Sequence, residues 1–118
     1  MPPLRLSPAS LSSLSGSEAE KDIQARSVEL LRQYGWFVLE MDKAAWGAVR
    51  KGAFFVGFPD VLALRRANFL LIEFKSRTGK ARADQLAMHD RLASHGITVH
   101  IVRAEREVLA LLSPRSQP

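Results

Sequence analysis

The stretch Gly57-Phe58-Pro59-Asp60-Val61-Leu62-Ala63-Leu64-Arg65-Arg66-Ala67-Asn68-Phe69-Leu70-Leu71-Ile72-Glu73-Phe74-Lys75 decides how the chain is read. Two apolar runs, Val61 to Leu64 and Phe69 to Ile72, flank the polar connection Arg65-Arg66-Ala67-Asn68, which is the pattern of a β-hairpin. Both runs are nearly continuous, so central strands covered on both faces are expected. If Arg65 opposes Asn68, then Asp60 opposes Glu73. Directly opposed residues point to one face, with Cβ atoms roughly 5 Å apart. Lys75 shares that face and Phe74 points to the other. A slip of one residue would break the grouping. Two carboxylates brought that close repel each other unless a cation lies between them, and a hard divalent ion accepts such an oxygen-rich site.

On the N-terminal side, Met1 to Gly16 is rich in Pro, Ser and Leu without a sustained period, and reads as a flexible arm. Ser17 fits a helix N-cap, with Glu20 three residues later completing a capping box. The helix then runs to about Tyr34 and stops at Gly35. At 100° per residue, Ile23, Gln24, Ser27, Val28, Leu31 and Tyr34 share one side with Glu20, while Lys21, Asp22, Arg26, Glu29 and Gln33 face the other. A carboxylate on the axis of an apolar stripe is out of place, and both a capping role and a chemical role for Glu20 stay open. Trp36 to Met41 reads as a strand. The segment Asp42 to Gly52 interleaves Lys43, Arg50 and Lys51 with Trp46, which suits a phosphate backbone and an unstacked base. Trp46 itself reads better as a core residue. Ala53 to Val56 is a further short strand.

On the C-terminal side, Ser76 to Ala81 is a basic loop with Arg77, Gly79 and Lys80. A helix follows from about Arg82 to His95, ended by Gly96. Its Gln85, Leu86, Met88, His89, Leu92 and Ala93 are expected on one face, with Asp84, Ala87, Arg91 and Ser94 opposite. Gln85 is thus a polar residue aimed at the sheet from the middle of a core-facing stripe, as Glu20 is from the first helix. Ile97 to Val102 is a strand, Glu105 to Leu112 a short helix, and residues 113–118 a frayed tail. The order α-β-(β)-β-β-α-β-α defines a single α/β domain over residues 17–112 with a mixed sheet. The connection from Phe69–Lys75 to Ile97–Val102 is expected to be a right-handed parallel crossover. His89, His95 and His100 read as packing or capping residues, and Arg65 and Arg66 as a solvated turn.

A chain of 118 residues holds one modest core. Its formal net charge of +5 favours a polyanionic partner, nucleic acid ahead of an anionic membrane surface. The absence of cysteine excludes disulfides, thiolate metal sites and a cysteine nucleophile. Apolar runs are strand-sized, and the start lacks the apolar core of a signal peptide, so an intracellular, cytoplasmic protein is expected.

Pro59-Asp60 followed by Glu73-Phe74-Lys75 resembles the PD-(D/E)XK nuclease signature. That short form is weakly specific. The wider pattern of Glu20-Lys21-Asp22-Ile23-Gln24, Gly57-x-Pro59-Asp60, Ile72-Glu73-Phe74-Lys75, the Gly79 loop, Gln85 and Gly96-Ile97-Thr98-Val99 is similar to the VRR-NUC branch, stand-alone virus-encoded members included. It spans Glu20 to Leu112, with Phe74 where the family often has valine. The resemblance implies a restriction-endonuclease-like core with a mixed central sheet flanked by helices. It implies Mg²⁺ or Mn²⁺ held by Glu20, Asp60, Glu73 and the Phe74 carbonyl, with Asp60, Glu73, Lys75 and Gln85 as the catalytic set. Lys43, Arg50, Lys51, Arg77, Lys80 and Arg82 are the candidate DNA contacts. The implied protein is a homodimeric, structure-selective endonuclease for branched DNA such as a Holliday junction, working in a bacterial or phage-infected cell. A non-catalytic DNA-binding module of the same fold, or a nuclease subunit that needs a partner protein, are the alternatives.

Overall fold

The computed structural model describes residues 16–41 and 56–112, with side chains from Glu20 onward. The arm, the tail, the Asp42–Gly52 segment and residues 53–55 lie outside the described residues. Val56, the last residue of the further strand expected there, is in a turn. The elements are α1 (Gly16–Gln33), β1 (Phe37–Glu40), β2 (Val61–Arg65), β3 (Asn68–Phe74), α2 (Ala83–Ala93), β4 (Val99–Val102) and α3 (Glu105–Leu112). The four strands form one mixed sheet in the order β1-β2-β3-β4, the first two pairings antiparallel and the last parallel. No helix among the described residues is long and apolar enough to cross a membrane.

The hairpin register is the expected one. Arg65 pairs with Asn68 and Val61 with Ile72, so one further step places Asp60 opposite Glu73. The tight connection brings Arg66 and Ala67 to φ of 50° and 69°, the left-handed pair that a two-residue hairpin turn of matching twist requires.

One sheet face carries the core. Val38, Val61, Ala63, Ile72, Phe74 and Val102 are buried there against Ile23, Val28 and Leu31 of α1 and Val108 of α3, with Trp36 completing the cluster. Alternation then sends Asp60 and Glu73 to the opposite face, where α2 meets them. Helix α1 is closed at Gly35 by Trp36 N–H on the Leu31 carbonyl, and α2 at Gly96 by Ile97 N–H on the Leu92 carbonyl, both 3.0 Å. These are Schellman bonds that satisfy the last helical carbonyls. An ion pair and hydrogen bond from Arg26 to Glu105 (3.1 Å) ties α1 to α3.

Several expectations are corrected. Helix α1 begins at Gly16, so Ser17 lies inside it and is not the N-cap. Tyr34 is exposed, because it falls beyond the last turn of α1. The hairpin is covered on both faces only near the site: Phe69 (47% exposed) and Leu64 (36%) lie open, since the eleven residues of α2 cover only the end carrying Glu73. In α2 the inward stripe is Gln85, Met88, His89 and Leu92, and Leu86 is exposed, as is Ala93. Leu86 stands about 100° from Gln85 on the helical wheel, outside so narrow a contact.

Candidate active site

The site is assembled where β3 ends and α2 begins. Glu73 and Lys75 are 2% and 4% exposed. Burying a carboxylate or an ammonium is costly unless each is paired or hydrogen-bonded. For Glu73 that help comes from α2. Gln85 Nε2 donates to Glu73 Oε2 at 2.8 Å, and Gln85 Oε1 accepts the Arg82 N–H at 2.9 Å. One side-chain amide therefore caps the first turn of α2 and holds the buried carboxylate. The sequence pattern had aimed Gln85 at the sheet. The structure shows that its target is Glu73.

Asp60 is anchored differently. Its Oδ2 accepts the Phe74 N–H at 2.8 Å, while the next amide, Lys75 N–H, turns to the Val102 carbonyl of β4 at 3.0 Å. Asp60 is thus tied to the residue between Glu73 and Lys75. The turn bearing Asp60 packs on α2 so tightly that a Cβ on Gly57 would lie 2.3 Å from the Asp84 carbonyl oxygen. Gly57, with φ of 80°, is the residue that permits this approach.

Glu20 enters from α1. A Cβ on Gly79 would lie 3.3 Å from Glu20 Oε2 and 2.8 Å from Ser76 Oγ, so its carboxylate reaches the loop that follows Lys75. Gly79 N–H donates to Ser76 Oγ at 2.9 Å. Helix α1, the hairpin, this loop and α2 therefore converge on one end of the sheet.

Of the candidate DNA contacts, Arg77, Lys80 and Arg82 are exposed around the same loop. Lys43, Arg50 and Lys51 lie outside the described residues. Arg82 also makes an exposed ion pair with Asp84 (3.2 Å), whose hydrogen bond holds the Asp84 carboxyl below the usual carboxylate range. Two residues that the sequence did not assign to the site stand beside it. His89, read as a packing or capping residue, has its Nε2 4.0 Å from Glu73 Oε1. Its spacing of four from Gln85 was the available signal. Arg103 sends its guanidinium into the 76–79 loop, for which the sequence offered no pattern. His100 is half-buried on β4, and desolvation lowers its pKa below the ordinary histidine value.

Among the described residues, no three His, Asp or Glu side chains stand close enough together to hold a metal ion. The donor chemistry nonetheless fits a hard divalent cation. Asp60, Glu73 and Glu20 supply carboxylate oxygens, and the absence of a side chain at Gly79 lets the loop come close to the Glu20 carboxylate.

The architecture is an α/β domain with a mixed four-stranded sheet and an acid-rich strand end. No protein-family model matches the sequence, and no curated protein matches it. Among solved structures, one described as "VRR_NUC domain" superposes with a TM-score of 0.64, covering 80% of this chain and 94% of that one at 24% identity. The fold is that of a VRR_NUC domain.

Proposed function

We propose that the chain is a Mg²⁺- or Mn²⁺-dependent DNA endonuclease, selective for branched DNA with the four-way junction foremost, and active as a homodimer. The observation that carries this reading is the buried Glu73 held by Gln85, with Asp60 anchored across the strand and the buried Lys75 two residues on. A domain that only bound DNA would gain nothing from acids gathered under a basic surface. They would repel the phosphates and cost stability when buried.

In this reading Glu20, Asp60, Glu73 and the Phe74 carbonyl would hold the ion, which when bound lowers the pKa of a water and polarises the phosphoryl oxygen. Gln85 keeps the Glu73 carboxylate in one orientation through its bond to Oε2. Lys75 either positions the attacking water or helps take its proton, and its positive charge offsets the charge that grows on the phosphate oxygens. Arg77, Lys80 and Arg82 contact the backbone of the substrate, with Lys43, Arg50 and Lys51 as further contacts. Two strands must be cut to resolve a junction and the described residues of one chain carry one such strand end, hence the dimer. The fold shared with a VRR_NUC domain supports nucleic-acid cleavage.

The test is cleavage of an end-labelled four-way junction, a flap and a linear duplex with Mg²⁺, with Mn²⁺ and with EDTA. Wild type cuts the junction only with metal. Lys75→Ala still binds but loses on the order of 10²–10³-fold in rate, the scale of removing one charge-stabilising group from such a centre. Wild-type binding without any metal-dependent cutting would replace the enzyme by a DNA-binding module. A monomeric mass in solution together with full cutting would remove the dimer.

A further inference from the structure

Arg103 lies one residue beyond β4, outside the residues assigned above to chemistry or to DNA contact. Its backbone N–H is held by Glu107 Oε1 of α3 at 2.7 Å. Its Nη1 donates to the carbonyls of Ser76 (2.7 Å) and Gly79 (2.5 Å), with the Arg77 carbonyl at 3.5 Å. The register Phe74 to Val102, extended by one step, sets Arg103 beside Lys75.

Past Lys75, whose N–H still bonds the Val102 carbonyl, residues 76–82 have no regular secondary structure, so the sheet does not shape them. Carbonyl oxygens that converge in such a turn repel one another, and a cation among them offsets that repulsion. The two N–H groups of Nη1 lie in the fixed guanidinium plane, which gives a direction that a lysine's point charge cannot. The loop so held carries Arg77 and Lys80 outward and sets Gly79 against Glu20. We propose that Arg103 is a positioning residue for DNA binding. It is committed to the loop's carbonyls and not to phosphate, and it fixes the geometry in which Arg77 and Lys80 meet the DNA backbone. This rests on the nuclease reading for its substrate, while the clamp itself stands on the hydrogen bonds.

The experiment compares wild type, Arg103→Gln, Arg103→Lys and Lys80→Ala. It uses anisotropy of a labelled four-way junction without divalent metal over a range of salt, amide exchange of residues 76–82, and thermal unfolding. Arg103→Gln is expected to weaken binding roughly tenfold, the scale of re-ordering two long side chains and their loop, with faster exchange at 76–79. Its slope of log Kd against log salt stays at the wild-type value, whereas Lys80→Ala lowers it by about 0.9. Arg103→Lys falls between wild type and Arg103→Gln, and because it keeps the charge it serves as the test if the glutamine variant fails to fold. A slope lowered as in Lys80→Ala would make Arg103 a phosphate contact and overturn the proposal. So would unchanged affinity and exchange with only a lower melting temperature. Wild type that binds no junction would overturn the DNA reading, and exchange alone would then decide whether Arg103 shapes the loop.

Discussion

Two glycines with nearly the same positive φ and opposite surroundings isolate the contact that builds the site. Gly57 has φ of 80° and Gly96 φ of 81°. A Cβ on Gly96 meets nothing within 4 Å, whereas one on Gly57 meets Asp84 O at 2.3 Å, Asp84 C at 2.6 Å and Gln85 N at 2.9 Å. All three are backbone atoms, so no rotamer change relieves the clash. Ordinary contact begins at 3.4 Å, and the turn must therefore retreat from α2 by about 1.1 Å (3.4 less 2.3). Gly96→Ala carries only the left-handed penalty of an L-residue, about 1–2 kcal/mol. Gly57→Ala carries that penalty plus an overpacking cost of about 1–3 kcal/mol. Against a total stability on the order of 5–15 kcal/mol for such a domain, the second loss is large. Urea unfolding of both variants, with m-values shown to be equal, measures the difference directly. Where Gly57→Ala remains folded, its junction cleavage should also fall, because Asp60 moves away from the Phe74 N–H. Equal destabilisation by the two substitutions, within about 0.5 kcal/mol, would refute the close packing of the Gly57 turn on α2.

Other consequences are simpler. Nothing among the described residues hydrogen-bonds the buried Ser27 Oγ, so Ser27→Ala should raise stability by about 1 kcal/mol in urea unfolding. A loss of that size instead would show that the hydroxyl has a partner. Arg66 and Ala67 hold positive φ without being glycine, and replacing them with Asn-Gly should stabilise by about 1 kcal/mol without changing strand register, read from unfolding midpoints and strand amide shifts. His100 titrates below its unfolded value because it is desolvated. Its contribution to stability is therefore complete above the unfolded pKa near 6.5 and is lost as pH falls from there toward the folded pKa. His100→Gln should flatten that part of the stability curve, and an unchanged acid-side slope would assign the loss to other groups.

The register at the site was legible because two apolar runs flank a short turn, and a one-residue slip would exchange the buried faces of Val61, Ala63 and Ile72 for the open ones. Gln85 was legible as a polar exception on a helix face. Its two partners were not, because a periodicity shows where a side chain points and not what it meets there. The same limit explains Leu86. The wheel placed it near the inward side, but the contact is only as wide as Gln85, Met88, His89 and Leu92 allow. Phe69 and Leu64 were read as covered since their runs are apolar on both faces, and coverage depends on how far α2 extends over the sheet. Arg103 left no trace at all. Its partners are backbone carbonyls, and any residue at positions 76 to 79 would have supplied them.

These particulars bear on how stability and chemistry are joined here. The Gly57 turn packs on the first turn of α2, Gln85 closes that turn onto Arg82 N–H, and the same amide holds Glu73. The contacts that seat α2 on the sheet are therefore the ones that orient the carboxylate. Gln85→Leu would remove a capping bond and leave a buried acceptor short of a donor, so it would cost stability whether or not the site cleaves DNA. Lys75 does not share that linkage, because its backbone bond to Val102 survives truncation of the side chain. Loss of cutting in Lys75→Ala with unchanged unfolding would thus speak to chemistry alone, where the same loss in a Gln85 variant would not.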